Sequence, residues 1–237
     1  EAYRHLTDNK ETATVTLAPA MAKICLGLGH LREADDYANQ ALKASNNEMN
    51  NLTKAYIEEA KGNIASAIIY AKNALRANPQ SAYAAAEAAS LLVADKNYAE
   101  ALSILNEAIL SHPEDVSLML LRGYLNGNGL SGAAPSTLDY VRAANISVNS
   151  DTDLTCRAIA QSLAGKKLDA AATIAPILSK ADRDASAAVL AAQYFLNDGD
   201  RTSATKYMEI AGQLGFEDAY ILQYSVNPIF SLKALNK

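Results

Sequence analysis

The stretch "KNYAEALSILNEAILSHP", residues 96–113, decides how the rest of the 237-residue chain is read. Ala101 and Ala108 lie seven residues apart and so share one face of a helix, where small side chains let a neighbouring helix come close. Pro113 stops that helix, because proline lacks the backbone donor needed to continue it. Two earlier segments align with this one without a gap: "GHLREADDYANQALKASN" at 29–46 and "GNIASAIIYAKNALRANP" at 62–79. Ala34, Ala67 and Ala101 form one column, and Ala41, Ala74 and Ala108 another. Leu42, Leu75 and Ile109 follow the second alanine each time. The columns step by 33 and 34 residues. Further on, Gly165 and Gly199, and Ala170 and Ala204, are again 34 apart.

Each unit of that period reads as two helices. Gly29, Gly62, Gly165 and Gly199 mark the turn between them, since glycine tolerates a left-handed helix end. One helical pair cannot bury both its faces, so the units must stack. Abundant alanine, absent tryptophan, scarce phenylalanine and the lack of sustained apolar–polar alternation agree with an all-α chain.

The pattern resembles the tetratricopeptide repeat, a 34-residue helix-turn-helix unit with small residues where helices cross and a closing proline. The resemblance covers roughly residues 15–218. It is closest at 82–115 and weakest at 116–150. It implies an all-α, right-handed superhelical solenoid with units near 15–47, 48–81, 82–115, 116–150, 151–184 and 185–218. Residues 1–14 read as the remnant of a preceding helix. Residues 219–237 read as a closing helix and tail divided by Pro228. There are departures: the family's usual large aromatic early in the first helix is missing. Asn51, Lys54 and Glu58 fall where apolar residues are expected, which would shift that helix's register by one. Pro176 predicts a kink or a late start in the fifth unit's second helix.

"NGNGLSGAAPS", residues 126–136, places Gly127, Gly129 and Gly132 in the spacing G-x-G-x-x-G, with Asp151 about twenty positions on. A dinucleotide fingerprint needs a strand before it and a helix after it. Here the preceding "DVSLMLLRGYLNGNG" puts Val116, Met119, Leu120 and Tyr124 at helical spacing. The glycines are therefore expected to form a lengthened turn. Ser136 and Asp139 stand in capping-box spacing for the next helix, and Asp151 is a cap.

Other chemistry is sparse. His5, His30 and His112 pair with no histidine or cysteine at metal-ligand spacing, and Cys25 and Cys156 read as buried thiols. Asp35–Asp36 and Glu58–Glu59 read as solvated carboxylates, because helix neighbours point in different directions. No hydrolase, zinc-protease or phosphate-loop motif occurs, so neither an enzyme nor a cofactor or metal is expected. Asn51 and Asn145 stand in glycosylation sequons that arise often by chance. A net charge of −5, spread along the chain, argues against a nucleic-acid surface. No apolar run approaches the length of a membrane span. Glu1 in place of methionine implies a start further upstream and leaves the compartment open.

The resemblance implies a partner protein or peptide held on the concave wall of first helices. By repeat phase that wall includes Tyr56, Glu59, Tyr83, Ser90, Tyr124, Asn128, Gln193 and Asn197. Chaperone-binding members of the family grip a C-terminal carboxylate with a basic cluster. Lys23 and Asn128 do not make one, and a mildly acidic surface more easily accommodates a basic tail or a general peptide. Other readings stay open. One is a bacterial envelope protein assisting pilus or secretion-system assembly. Another is the docking region of a larger enzyme, and a third is a self-associating array. The long loop Asn126–Ala134 is a further candidate for binding.

Overall fold

The computed structural model describes residues 14–132 and 134–215. The expected helix at 1–14 lies almost wholly outside the described residues, and so does the expected closing segment at 219–237. The described residues form twelve helices and no strand. In chain order these are α1 (Thr14–Gly27), α2 (Leu31–Ala44), α3 (Glu48–Ala60), α4 (Ile64–Ala77), α5 (Ala82–Ala94) and α6 (Tyr98–Ser111). They continue with α7 (Val116–Gly127), α8 (Leu138–Ala143), α9 (Asp151–Leu163), α10 (Lys167–Leu178), α11 (Ala185–Asp198) and α12 (Arg201–Gln213).

Consecutive helices fold back on each other as hairpins, α1 on α2 through α11 on α12. The first helices of neighbouring hairpins also touch directly: α1 with α3, α5 with α7, α7 with α9 and α9 with α11. Second helices pack instead on the first helix of the next hairpin, as α4 does on α5 and α6 on α7. The first helices thus make the shorter, inner arc of a solenoid and the second helices its outer arc. Ala34, Ala67, Ala101 and Ala170 are fully buried, as their columns require, and Ala204 nearly so. One apolar core runs from α3 to α12, and a small separate cluster of Ala22, Cys25, Leu26, Ala34, Ala38 and Ile57 joins the first hairpin to α3.

The turn glycines have left-handed backbones, with φ of 72°, 79°, 82° and 94° at Gly29, Gly62, Gly165 and Gly199. In the third hairpin the same turn is built on Lys96, at φ 61°. The hydrogen bonds are the same in both sequences. Gly62 N–H donates to Glu59 and Asn63 N–H to Glu58, while Lys96 N–H donates to Val93 and Asn97 N–H to Leu92. A side chain in this region costs about 1–2 kcal/mol, part of which glycine returns through its larger unfolded-state entropy. Lys96→Gly is therefore expected to stabilise the protein by about 0.5–1 kcal/mol, read as a higher urea midpoint at unchanged slope. A lower midpoint would contradict this account of the turn.

Side-chain caps fix where the first helices start. Asn47, Ser81, Asp115, Ser150 and Asp184 each accept an N–H of the first turn, at 2.9, 3.0, 2.8, 3.0 and 2.9 Å. Pro176 does not delay the start of α10: the helix begins at Lys167 and ends at Leu178, two residues after the proline.

No register shift occurs in α3. Asn51, Lys54 and Glu58 are only 1, 4 and 6 % exposed, because polar partners meet them. Asn51 Nδ2 donates to the Asn47 carbonyl and to Asn46 Oδ1, which leaves this sequon asparagine inaccessible. Lys54 is paired with Asp35 of α2 and, at 2.9 Å, with Glu58. Lys61 bonds Glu58 at 3.0 Å and Asn63 does so at 2.9 Å. Asp35 and Glu58 are thus members of an ion network between the first two hairpins, not solvated surface.

Helix α7 precedes the glycine stretch, so no strand leads into it. Gly129 and Gly132 are left-handed turn residues, with φ of 68° and 78°. Gly127 ends α7 where an added Cβ would come 3.1 Å from the Tyr140 ring. The capping box does not form. Helix α8 starts at Leu138, and Asp139 turns inward to accept Arg122 Nη2 at 2.7 Å, Arg122 Nε at 3.0 Å and Asn126 at 2.9 Å. Ser150 rather than Asp151 caps α9, and Asp151 pairs with Lys180.

Candidate functional site on the concave wall

Polar side chains meet where α3 approaches α5. Tyr56 lies two turns into α3 and Glu59 three residues later. Tyr83 opens α5 and Glu87 follows one turn on. These spacings stack each pair on one helix face. The Tyr56 and Tyr83 hydroxyls are hydrogen-bonded to each other, and Tyr56 donates to Glu87 Oε2 at 3.4 Å. Tyr83 is 48 % exposed and Glu87 only 5 %.

The electrostatics of this group are one-sided. Burial, and then the neighbouring Glu59 charge, push the Glu87 carboxyl up to about 8, against the Tyr56 hydroxyl that stabilises its charge. Burial pushes Glu59 up to about 7. Lys54 and Lys61, the cations on and beside α3, serve Asp35 and Glu58 instead. Among the described residues, no cation is paired with Glu59 or Glu87, so hydroxyl and carboxyl oxygens gather here without a counter-charge. This patch suits hydrogen-bond donors and cationic or apolar side chains, and it disfavours anions.

Of the residues placed on the wall from repeat phase, Tyr56, Glu59 and Tyr83 come together here. Ser90, Tyr124, Gln193 and Asn197 are buried, at 4, 9, 2 and 4 % exposure. Asn197 Nδ2 donates to the Gln193 carbonyl at 2.9 Å and Asn128 Nδ2 to the Tyr124 carbonyl at 2.8 Å, both within their own helix ends. Gln193 Nε2 is buried without a hydrogen-bond partner. Glu87 was not among the expected residues. The signal for it was present: it is the one charged residue of the helix "AYAAAEAASLLVA", one turn after Tyr83. Among the described residues, no helix is long and apolar enough to cross a membrane.

Residues 59–121 match the family model described as tetratricopeptide repeat. The fold is similar to the crystal structure of a tetratricopeptide repeat protein from Parabacteroides merdae ATCC 43184. That likeness has a TM-score of 0.54 at 17 % identity and covers 96 % of this chain and 87 % of that one. It is also similar to Pseudomonas aeruginosa pilF, with a TM-score of 0.51 at 14 % identity over 94 % of this chain and 98 % of that one. At such identities the likeness is one of fold. No curated protein matches the sequence significantly.

Proposed function

We propose that this helical-repeat protein of tetratricopeptide fold is a non-enzymatic scaffold that holds a peptide or protein partner against its concave wall. The observation that supports this most is the group formed by Tyr56, Tyr83, Glu59 and Glu87 at the α3–α5 seam, to which no cation is paired among the described residues. Tyrosines supply large amphipathic contact area at small entropic cost, and such residues dominate the energetics of recognition surfaces. Stacked first helices extend that area into a continuous curved surface. The hydroxyl and carboxyl oxygens favour a partner with hydrogen-bond donors, and a basic side chain would draw the carboxyls into their charged form as it binds.

Selection of random extended peptides by the full chain tests this reading. Bound peptides are expected to be enriched in lysine or arginine. Their affinity is expected to fall about 30-fold with Tyr83→Ala, the loss of about 2 kcal/mol typical of a central contact. Tyr83 is half exposed, so the variant retains the fold. Peptides that bind wild type and variant equally would place recognition elsewhere.

A further inference from the structure

The same group joins two different hairpins. Tyr56 and Glu59 belong to the second and Tyr83 and Glu87 to the third, and side chains bridge the seam between α3 and α5. We propose that Glu87 holds a proton at this seam, closing the concave wall while it is neutral and loosening that wall when Glu87 and Glu59 are both charged.

The geometry favours a proton on Glu87. Glu87 is 5 % exposed, and a buried carboxylate without a counter-charge is too costly to persist, so it takes a proton instead. Among the described residues, the cations on the elements packed near it are engaged elsewhere; α6 carries no lysine or arginine, and His112 at its end lies against the Gln80 carbonyl. From α3, Tyr56 and Glu59 are the groups that act on it, one hydrogen-bonded and the other of like charge. On α5 itself Tyr83 lies one turn away. Lys72 of α4 is held by Glu100 of α6, and Arg76 of α4 by Asn73. Arg122 of α7 is held by Asp139, and Tyr124 of α7 acts on Tyr140. Lys23 of α1 lies against Met49.

The sign follows from linkage. Both carboxyls sit above their ordinary value of 4.5 in the folded protein, at about 7 and about 8. Their contribution to stability is full below that ordinary value and is lost as pH rises through the folded values. This trend opposes ordinary acid unfolding. As regulation of a partner site, the proposal rests on the concave-wall reading above. As a property of the seam it does not, and the test reads the seam alone.

The test is thermal unfolding of the full chain between about pH 5.5 and pH 9, in wild type, Glu87→Gln, Glu59→Gln and the exposed-residue control Glu107→Gln. Glutamine mimics the protonated acid in shape and neutrality. The wild-type midpoint and the control are expected to fall together from about pH 6 to about pH 8.5, equivalent to a folding constant dropping up to about tenfold per pH unit per proton. Glu87→Gln is expected to flatten most of that fall, and Glu59→Gln part of it. A second readout guards against a variant that folds poorly. The infrared carbonyl band of a protonated carboxylic acid should be present in wild type near neutral pH and reduced in Glu87→Gln. An unchanged pH slope in both glutamine variants, or no acid band in wild type, would overturn the proposal. Loss of peptide binding with the pH response intact would instead overturn the concave-wall reading alone.

Discussion

Replacing Lys54 by methionine is expected to destabilise the protein by about 3 kcal/mol. Lys54 is 4 % exposed, bridges Asp35 of α2 to Glu58 of α3, and lies 5.6 Å from the centre of the Tyr70 ring. Methionine fills the space of the stem but leaves the carboxylates without their central cation. Breaking a buried pair in this way costs roughly 3–5 kcal/mol. The lower end applies because Lys61 and Asn63 still hold Glu58. The apolar contact between the first hairpin and α3 is small, so the loss should fall mainly on α1 and α2. Urea unfolding followed by hydrogen exchange should show these two helices opening first, because repeat arrays lose stability locally. A loss below about 1 kcal/mol would mean that the network is ornamental.

The same network predicts an acid limit. Burial raises the Glu58 carboxyl, but hydrogen bonds from Asn63, Lys54 and Lys61 outweigh it and hold the group down at about 2. Its contribution is present above the ordinary value of 4.5 and is lost as pH falls toward about 2.

Gly123→Ala is the second large effect, expected at about 1–3 kcal/mol. A Cβ there would sit 2.7 Å from two carbons of the Tyr140 ring. The ring cannot step aside, since Tyr140 is 5 % exposed and the adjacent Asp139 is fixed by Arg122 and Asn126. The check is a double-mutant cycle with Tyr140→Leu. A positive coupling should appear, because the smaller side chain makes room for the methyl group. Additive losses would show that the close approach is not what the glycine serves. With Gly127, which meets the same ring, this explains the glycine-rich end of α7 by packing and turn formation.

The period was legible because its markers are local. A turn glycine, two alanines a heptad apart and a closing proline each act within one hairpin, and their columns can be compared by eye. The buried polar groups were not legible in the same way. Periodicity assigns charge to the surface, so Lys54 and Glu58 suggested a register error and Glu58–Glu59 a solvated pair. Their partners come from α2 and from the α3–α4 turn, and only the packed structure brings those together. Asp139 failed as a predicted cap for a related reason: Arg122, seventeen residues earlier, outbids a local N–H for its carboxylate. Repeat phase names Tyr56, Glu59 and Tyr83, which come together at the α3–α5 seam, but it does not single out Glu87 within its alanine-rich helix. Ser90, Gln193 and Asn197 share the phase of the wall, yet the packing buries them.

Hydrogen exchange of the full chain with and without a selected peptide tests the central claim most directly. The account predicts that bound peptide slows exchange in α3 and α5, around Tyr56–Glu59 and Tyr83–Glu87, while α4 and α6 on the outer arc stay unchanged. Protection confined to the outer helices, or to the turn at 128–137, would contradict it.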